Sequence, residues 1–139
     1  MGQARREERR VKAVDANVVL RVIVPDDPHQ TAIAEEILRG PVILPLTALL
    51  EIVWVLRSRY RFSRTDTAGI LDGILSYDNI EIEAPILVHW AIQRFAAGAD
   101  IADMIHLVMG RHASAFATFD REVARQAGDR PPIPVETLR

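Results

Sequence analysis

Four acidic side chains in this sequence have the chemistry and the surroundings to bind a metal ion, and they are Asp15, Glu51, Asp103 and Asp120. Each lies within an apolar segment or directly after one. Acidic residues are seldom buried unless a cation pairs with them, because the loss of hydration costs several kcal/mol per ion. Few basic residues adjoin these positions, and Lys12 is the only lysine in the chain. We therefore expect a hard divalent ion, Mg²⁺ or Mn²⁺, to neutralise them.

Each of these acids also has a structural explanation that needs no metal. Asp120 can cap the helix that follows it, and Asp100 and Asp103 have the spacing of a helix cap and a first-turn acid. Asp15 can end a strand in an Asx turn. Glu51 has no capping role in the middle of a helix, and its apolar neighbours leave only a narrow polar face. The metal site is therefore inferred from the four acids together.

The elements that must position these acids alternate along the chain. The pattern predicts short strands over 11–14, 41–44, 79–83, 114–119 and 131–135. It predicts helices over 17–24, 29–39, 46–60, 63–76, 85–97, 100–112 and 120–127, with Asn17 as the cap of the first. This alternation indicates an α/β fold with a parallel sheet and helices on both faces. Ligands of such sheets bind at the carboxyl ends of the strands, where Asp15 and Asp120 lie.

Length and composition narrow the class of protein. The 139 residues suit one domain over 11–139, preceded by a charged lead-in over 1–10. The absence of cysteine excludes disulfides and thiolate metal sites and agrees with a cytoplasmic location. No apolar run approaches the roughly 18 residues that span a bilayer. The net charge of -2 disfavours a nucleic-acid coat protein but allows a nuclease with a local basic patch.

Four short motifs carry a resemblance to a known family: Val14–Asn17, Leu46–Glu51, Gly98–Asp103 and Ala117–Asp120. They resemble the four acidic motifs of PIN-domain nucleases, and the overall pattern is most similar to VapC-type toxins of toxin–antitoxin pairs. The resemblance covers about Val11 to Val135 and keeps the order of the family's motifs.

The resemblance implies a three-layer α/β/α domain with a short central parallel sheet, acting as a metal-dependent ribonuclease. It matches Asp15, Glu51, Asp103 and Asp120 to the metal-binding acids. It matches four further positions to supporting roles: Asn17, Thr47, Asp100 and Thr118. It also implies a small antitoxin partner and a homodimer.

A basic segment follows the Glu51 helix. It contains two aromatic residues and four arginines, which are Arg57, Arg59, Arg61 and Arg64. Such a segment can bind RNA phosphates and stack bases, or it can be a solvated helix end with favourable cations. Trp54 and Trp90 are expected in the core or an interface, and His106 is expected to be half-buried.

Other acid-bearing α/β proteins fit less well. A response-regulator receiver needs a lysine late in the chain, and a haloacid-type phosphatase needs Asp where Asn17 stands. An RNA-processing PIN nuclease without an antitoxin, and a catalytically silent PIN module that binds RNA or protein, both remain open.

Overall fold

Five short strands and seven helices form along residues 10–139, which are the part of the chain that the computed structural model describes. The predicted lead-in over 1–10 therefore lies outside the described residues, except for its last residue. The strands are β1 (Lys12–Ala13), β2 (Val42–Ile43), β3 (Ile80–Glu81), β4 (Phe116–Thr118) and β5 (Val135–Thr137). The helices are α1 (Ala16–Ile23), α2 (Pro28–Arg39), α3 (Leu46–Ser58), α4 (Arg64–Ser76), α5 (Pro85–Ala96), α6 (Ile101–Met109) and α7 (Arg121–Ala127).

The chain divides into two compact units. Of the described residues, the first unit consists of residues 10–61 together with Gly73–Glu83, and the second consists of Phe62–Asp72 and Ala84–Arg139. Both combine helices with parallel strands, as the alternating sequence pattern predicted.

The first unit is built on a parallel sheet with the order β1-β2-β3. Lys12 lies opposite Val42, and Val42 lies opposite Ile80. Pairing continues beyond the strands, because the Val14 amide donates to the Ile43 carbonyl at 3.0 Å. Helix α1 packs against α2 and α3. The side chains that fill this unit's core are apolar and fully buried, among them Val42, Leu44, Leu49, Ile52 and Leu56.

The second unit is mainly helical. Helix α5 packs against α6, which in turn contacts α7, and α7 also contacts β5. Strands β4 and β5 pair in parallel, with Phe116 opposite Val135. Ser63 caps α4 by accepting the Asp66 amide at 3.0 Å, which is why the helix begins where the sequence predicted a helix over 63–76. The core of the second unit contains fully buried apolar side chains, among them Val88, Ile92, Met104, Ile105 and Leu107.

Several predicted details are wrong, each for a local reason. Asp15 rather than Asn17 caps α1, since its carboxylate accepts the Val18 amide. The last strand is Val135–Thr137 rather than 131–135, because three prolines at 131–134 lack the amide that a ladder requires. Trp54 lies on the solvent face of α3 and is 68% exposed, so of the two places expected for it the core is wrong and an interface stays a prediction.

None of the helices described within residues 10–139 has the length and apolar character required to cross a membrane.

Candidate functional site

Three aspartates lie in the first turns or at the caps of two neighbouring helices of the second unit. Asp100 caps α6, and its Oδ1 accepts the Asp103 amide at 2.9 Å. Asp120 caps α7, and its Oδ1 accepts the Glu122 amide at 2.9 Å. Each cap uses one carboxylate oxygen, so the second oxygen retains its lone pairs for another ligand. We call Asp100, Asp103 and Asp120 the acidic triplet.

The carboxyl of Asp103 differs from the other two because it caps nothing. Burial raises its pKa, and the negative charges of Asp100 and Asp120 raise it further. His106, one turn later on α6, acts in the opposite direction. Asp100 and Asp120 are therefore each close enough to Asp103 to repel its charge, and a cation beside Asp103 would relieve that repulsion.

Strand β4 delivers Asp120 to this position. Thr118 is its last residue, and its hydroxyl oxygen accepts the Asp120 amide at 3.0 Å while its carbonyl accepts the Leu138 amide at 2.7 Å. The supporting position predicted at Thr118 thus contacts the backbone of the acid it was expected to serve. Phe119, which lies between Thr118 and Asp120, is 74% exposed, although the sequence pattern predicted it at the end of an apolar strand.

The first unit carries Asp15 and Glu51. Asp15 follows β1 and caps α1 through the Val18 amide at 3.3 Å, and Asn17 is an exposed residue in the first turn of that helix. Glu51 is exposed on α3. Thr47 and Trp54 are also exposed and are spaced four residues before and three residues after it, so one face of α3 presents all three.

The burial expected of the four acids is wrong for three of them. Asp15, Glu51 and Asp120 are exposed, and only Asp103 is partly buried. The aspartates turn outward at helix starts, where they cap, and Glu51 belongs to the polar face of an amphipathic helix. Apolar neighbours in sequence therefore do not mean apolar surroundings in space.

The donor chemistry of the acidic triplet suits a hard divalent ion, since every candidate ligand atom is a carboxylate oxygen. Within residues 10–139, no group of three histidine, aspartate or glutamate side chains is arranged to hold a metal ion. Mg²⁺ does not require one, because it keeps several waters and binds through one or two carboxylates and substrate phosphates. Asp103 and Asp120 fit that smaller requirement.

The four arginines of the basic segment differ in their surroundings. Arg64 donates from one guanidinium nitrogen to the carbonyls of Phe95 and Ala99, both at 2.8 Å, and lies over the Phe95 ring. Its placement serves the turn between α5 and α6. Arg57, Arg59 and Arg61 are exposed.

Three residues near the acids were missed or misplaced by sequence reasoning. A signal existed for Trp54, because it shares the spacing of Thr47 and Glu51 on one helical face. Phe119 had none, since a strand end cannot be fixed to one residue from an apolar run. Gln126 accepts the Asp100 amide with its side-chain oxygen at 3.1 Å, and no sequence pattern marks a contact across 26 residues.

Comparison with known proteins identifies one family. The model of the PIN domain matches residues 12–129, a range that contains Asp15, Glu51, Asp103 and Asp120. No curated protein and no solved structure matches the chain. PIN domains are typically nucleases that bind nucleic acid and use divalent metals. This match and the observed elements confirm the predicted PIN-like α/β/α fold class.

Proposed function

The chain belongs to the PIN-domain family, and on that premise we propose that it is an endoribonuclease dependent on Mg²⁺ or Mn²⁺. The observation that carries the proposal is the acidic triplet, in which Asp100 and Asp120 lie close enough to Asp103 to repel its charge. Repulsion between carboxylates lowers the stability of the metal-free protein, and a bound cation relieves it. Carboxylates grouped in this way are found mainly at functional sites, which supports a metal-binding role for the triplet.

Asp103 and Asp120, which both lie in the second unit, would hold the ion. The resemblance to PIN nucleases further implies Asp15 as a direct ligand, with Glu51 acting through water or on a second ion. When bound, the ion supplies charge neutralisation at the scissile phosphate and a more acidic water. Asp120 keeps its orientation because its Oδ1 accepts the Glu122 amide and its own amide donates to Thr118. One of the carboxylates orients or deprotonates the attacking water.

Exposed aromatic residues beside the acids favour single-stranded RNA as substrate. Phe119 precedes Asp120, and Trp54 lies one turn after Glu51. Bases of single-stranded RNA stack on such side chains, which then contribute about 1–3 kcal/mol per base. Arg57, Arg59 and Arg61 are exposed and would contact phosphates. Arg64 donates to the Phe95 and Ala99 carbonyls and supports the turn before α6.

We further propose that the enzyme is the toxin of a VapBC-type pair, with a small antitoxin partner, a homodimeric state and a cytoplasmic location. Much of the apolar surface of α3 belongs to the core, since Leu49, Ile52 and Leu56 are buried. Ile33 on α2 and Ile86 at the start of α5 are exposed and are available for protein contacts. An RNA-processing nuclease without an antitoxin, and a silent PIN module, are the alternatives.

Cleavage of a fluorescent single-stranded RNA by the purified protein tests the nuclease proposal. We expect cleavage with Mg²⁺ or Mn²⁺, none with EDTA, and none of a DNA strand of the same sequence. Asp103→Asn should lower the rate by about 100-fold or more, because charge stabilisation by a bound ion contributes several kcal/mol. Asp129→Asn, which removes an exposed aspartate elsewhere in the second unit, is the matched control.

Metal-dependent cleavage that Asp103→Asn leaves at the wild-type rate would refute the assignment of the site. Absence of any cleavage with intact RNA binding would favour the silent module. The toxin role is tested separately by induced expression in a bacterial host, where the wild type should arrest growth and Asp103→Asn should not. Cleavage without growth arrest favours the RNA-processing alternative.

A further inference from the structure

Gln126 links the two helices that bear the acidic triplet. It lies on α7, which begins directly after Asp120, and its side-chain oxygen accepts the Asp100 amide at 3.1 Å. Asp100 is the cap of α6, and Asp103 lies in the first turn of that helix. One side chain on the Asp120 helix therefore fixes the backbone at the start of the Asp103 helix.

Arg94 of α5 binds the C-terminal end of α7, where Gln126 lies. Its Nε donates to the Gln126 carbonyl at 2.6 Å, and the bond is partly buried. Gly128 follows α7 with a φ of 75°, and a Cβ built on it would lie 3.1 Å from the guanidinium carbon of Arg94. The backbone of Gln126 is thus restrained from α5 while its side chain restrains α6.

The turn that leads into α6 has a second restraint. Arg64 donates to the carbonyls of Phe95 and Ala99, and the Ala99 amide donates to the Arg94 carbonyl at 2.9 Å. The Asp100 amide is the next donor along the chain, and Gln126 is its acceptor. This hydrogen bond therefore joins α7 directly to a residue of the acidic triplet.

We propose that Gln126 is a positioning residue of the nuclease site, which sets the separation of Asp103 and Asp120 through its bond to Asp100. The inference rests on the proposed function of the acidic triplet. Partners that orient metal ligands typically change metal affinity or activity by about 10- to 100-fold when they are removed. Gln126 acts through the backbone of α6 and does not itself touch substrate.

Two substitutions separate the hydrogen bond from the shape of the side chain. Gln126→Met keeps the length and the helix propensity but removes the acceptor, whereas Gln126→Glu keeps an acceptor oxygen. Gln93→Met, at an exposed glutamine on α5, is the matched control. Hydrogen exchange at the Asp100 amide reports the bond itself, and thermal melting reports the folded state.

The experiment measures Mn²⁺ binding by calorimetry without RNA, and kcat and KM for the RNA strand. We expect Gln126→Met to weaken Mn²⁺ binding and lower kcat, each by about 10-fold, with KM and melting temperature nearly unchanged. Its Asp100 amide should exchange faster than in the wild type. Gln126→Glu should restore slow exchange and most of kcat, and Gln93→Met should match the wild type.

Gln126→Met with faster Asp100 exchange but wild-type Mn²⁺ binding and kcat would overturn the proposal. Loss of activity only in proportion to loss of folded protein would overturn it as well, since the role would then be structural. Failure of the proposed function is recognised separately, because the wild type itself would then not cleave RNA or Asp103→Asn would remain active.

Discussion

Asp15 of the first unit and Asp120 of the second occupy the same local setting. Each follows a short parallel strand and caps the next helix with Oδ1, through the Val18 amide in one case and the Glu122 amide in the other. Asp103 has neither a strand before it nor a cap to form. The backbone just before Asp103 is instead held by side chains from other helices. Gln126 accepts the Asp100 amide, and Arg64 donates to the Ala99 carbonyl.

This difference separates two ways of positioning an acid. Val14, the residue before Asp15, donates its amide to the Ile43 carbonyl at 3.0 Å, and no substitution other than proline removes this backbone donor. Asp103 depends on side chains that a single substitution can remove. Changes distant from the acids should therefore matter more in the second unit than in the first.

The largest expected effect is the loss of RNA cleavage when Asp15 or Asp120 is replaced. It tests whether these two aspartates bind metal in addition to capping their helices. Ser also caps well, so Asp15→Ser and Asp120→Ser should each keep stability within about 0.5 kcal/mol of the wild type, whereas Asp→Ala should cost about 1 kcal/mol. All four variants should lose RNA cleavage by about 100-fold or more if the carboxylates bind metal. Urea denaturation and single-turnover cleavage measure the two effects. If a serine variant kept full activity, the aspartate it replaces would have only a capping role and no role in metal binding.

The next effect contrasts an arginine from each unit. Arg64 is partly buried and bonded to two carbonyls, so Arg64→Met should lower the free energy of unfolding by about 2–3 kcal/mol. Arg21 forms a surface pair with Asp26 at 3.3 Å and bonds Gln30, so Arg21→Met should cost less than about 1 kcal/mol. Urea denaturation measures both. Equal losses would contradict the idea that side chains matter more in the second unit.

The third prediction concerns pH and Asp103. Its pKa in the folded, metal-free protein lies above the usual 3.8, because of burial and the charges of Asp100 and Asp120. The folded state therefore takes up this proton more readily than the unfolded chain, and the destabilisation by ionised Asp103 at neutral pH is relieved as pH falls toward the raised pKa. Without metal, the stability of wild type relative to Asp103→Asn should rise as pH is lowered. With saturating Mn²⁺ it should fall, since the ion favours the ionised form.

Chemical denaturation at a series of pH values, with EDTA and with Mn²⁺, checks this prediction. Asp129→Asn, an exposed aspartate outside the triplet, controls for a general effect of removing a carboxylate. Identical pH dependence in both metal conditions would contradict ion binding at Asp103.

The sequence was sufficient to place the helices and the acids along the chain. Apolar periodicity located every helix within a few residues, and the motif order led to the family that matches residues 12–129. The ends of the helices differ more from the prediction: α6 stops at Met109 rather than at residue 112, because Gly110 caps it. Such ends depend on single backbone hydrogen bonds, which a hydrophobic pattern does not encode.

The surroundings of the acids could not be predicted in the same way. The exposure of Glu51 and Trp54 follows from which face of α3 meets the core. Trp54 is one of several apolar residues on that helix, and its residue type does not tell the exposed face from the buried one. The bond from the Asp100 amide to Gln126 joins residues 26 positions apart, and only the fold brings them together. The four-acid metal site as a whole stays a prediction.

The smallest expected effect concerns the two non-glycine residues with positive φ among residues 10–139. Arg61, with a φ of 55°, and Ala84, with a φ of 46°, both stand where the chain passes from the first unit to the second. A left-handed conformation costs a residue with a Cβ about 1–2 kcal/mol, and the entropy of an added glycine offsets about half of that. Arg61→Gly and Ala84→Gly should therefore each raise stability by about 0.5 kcal/mol.

Ala124→Gly, at an exposed position within α7, is the control of opposite sign and should cost about 1 kcal/mol. Urea denaturation resolves differences of this size when the slopes agree. If Ala84→Gly is as destabilising as Ala124→Gly, the left-handed backbone at the start of α5 is not a source of strain. If Arg61→Gly and Ala84→Gly are both stabilising while RNA cleavage falls, the strained backbone at these two positions is retained for activity rather than for folding.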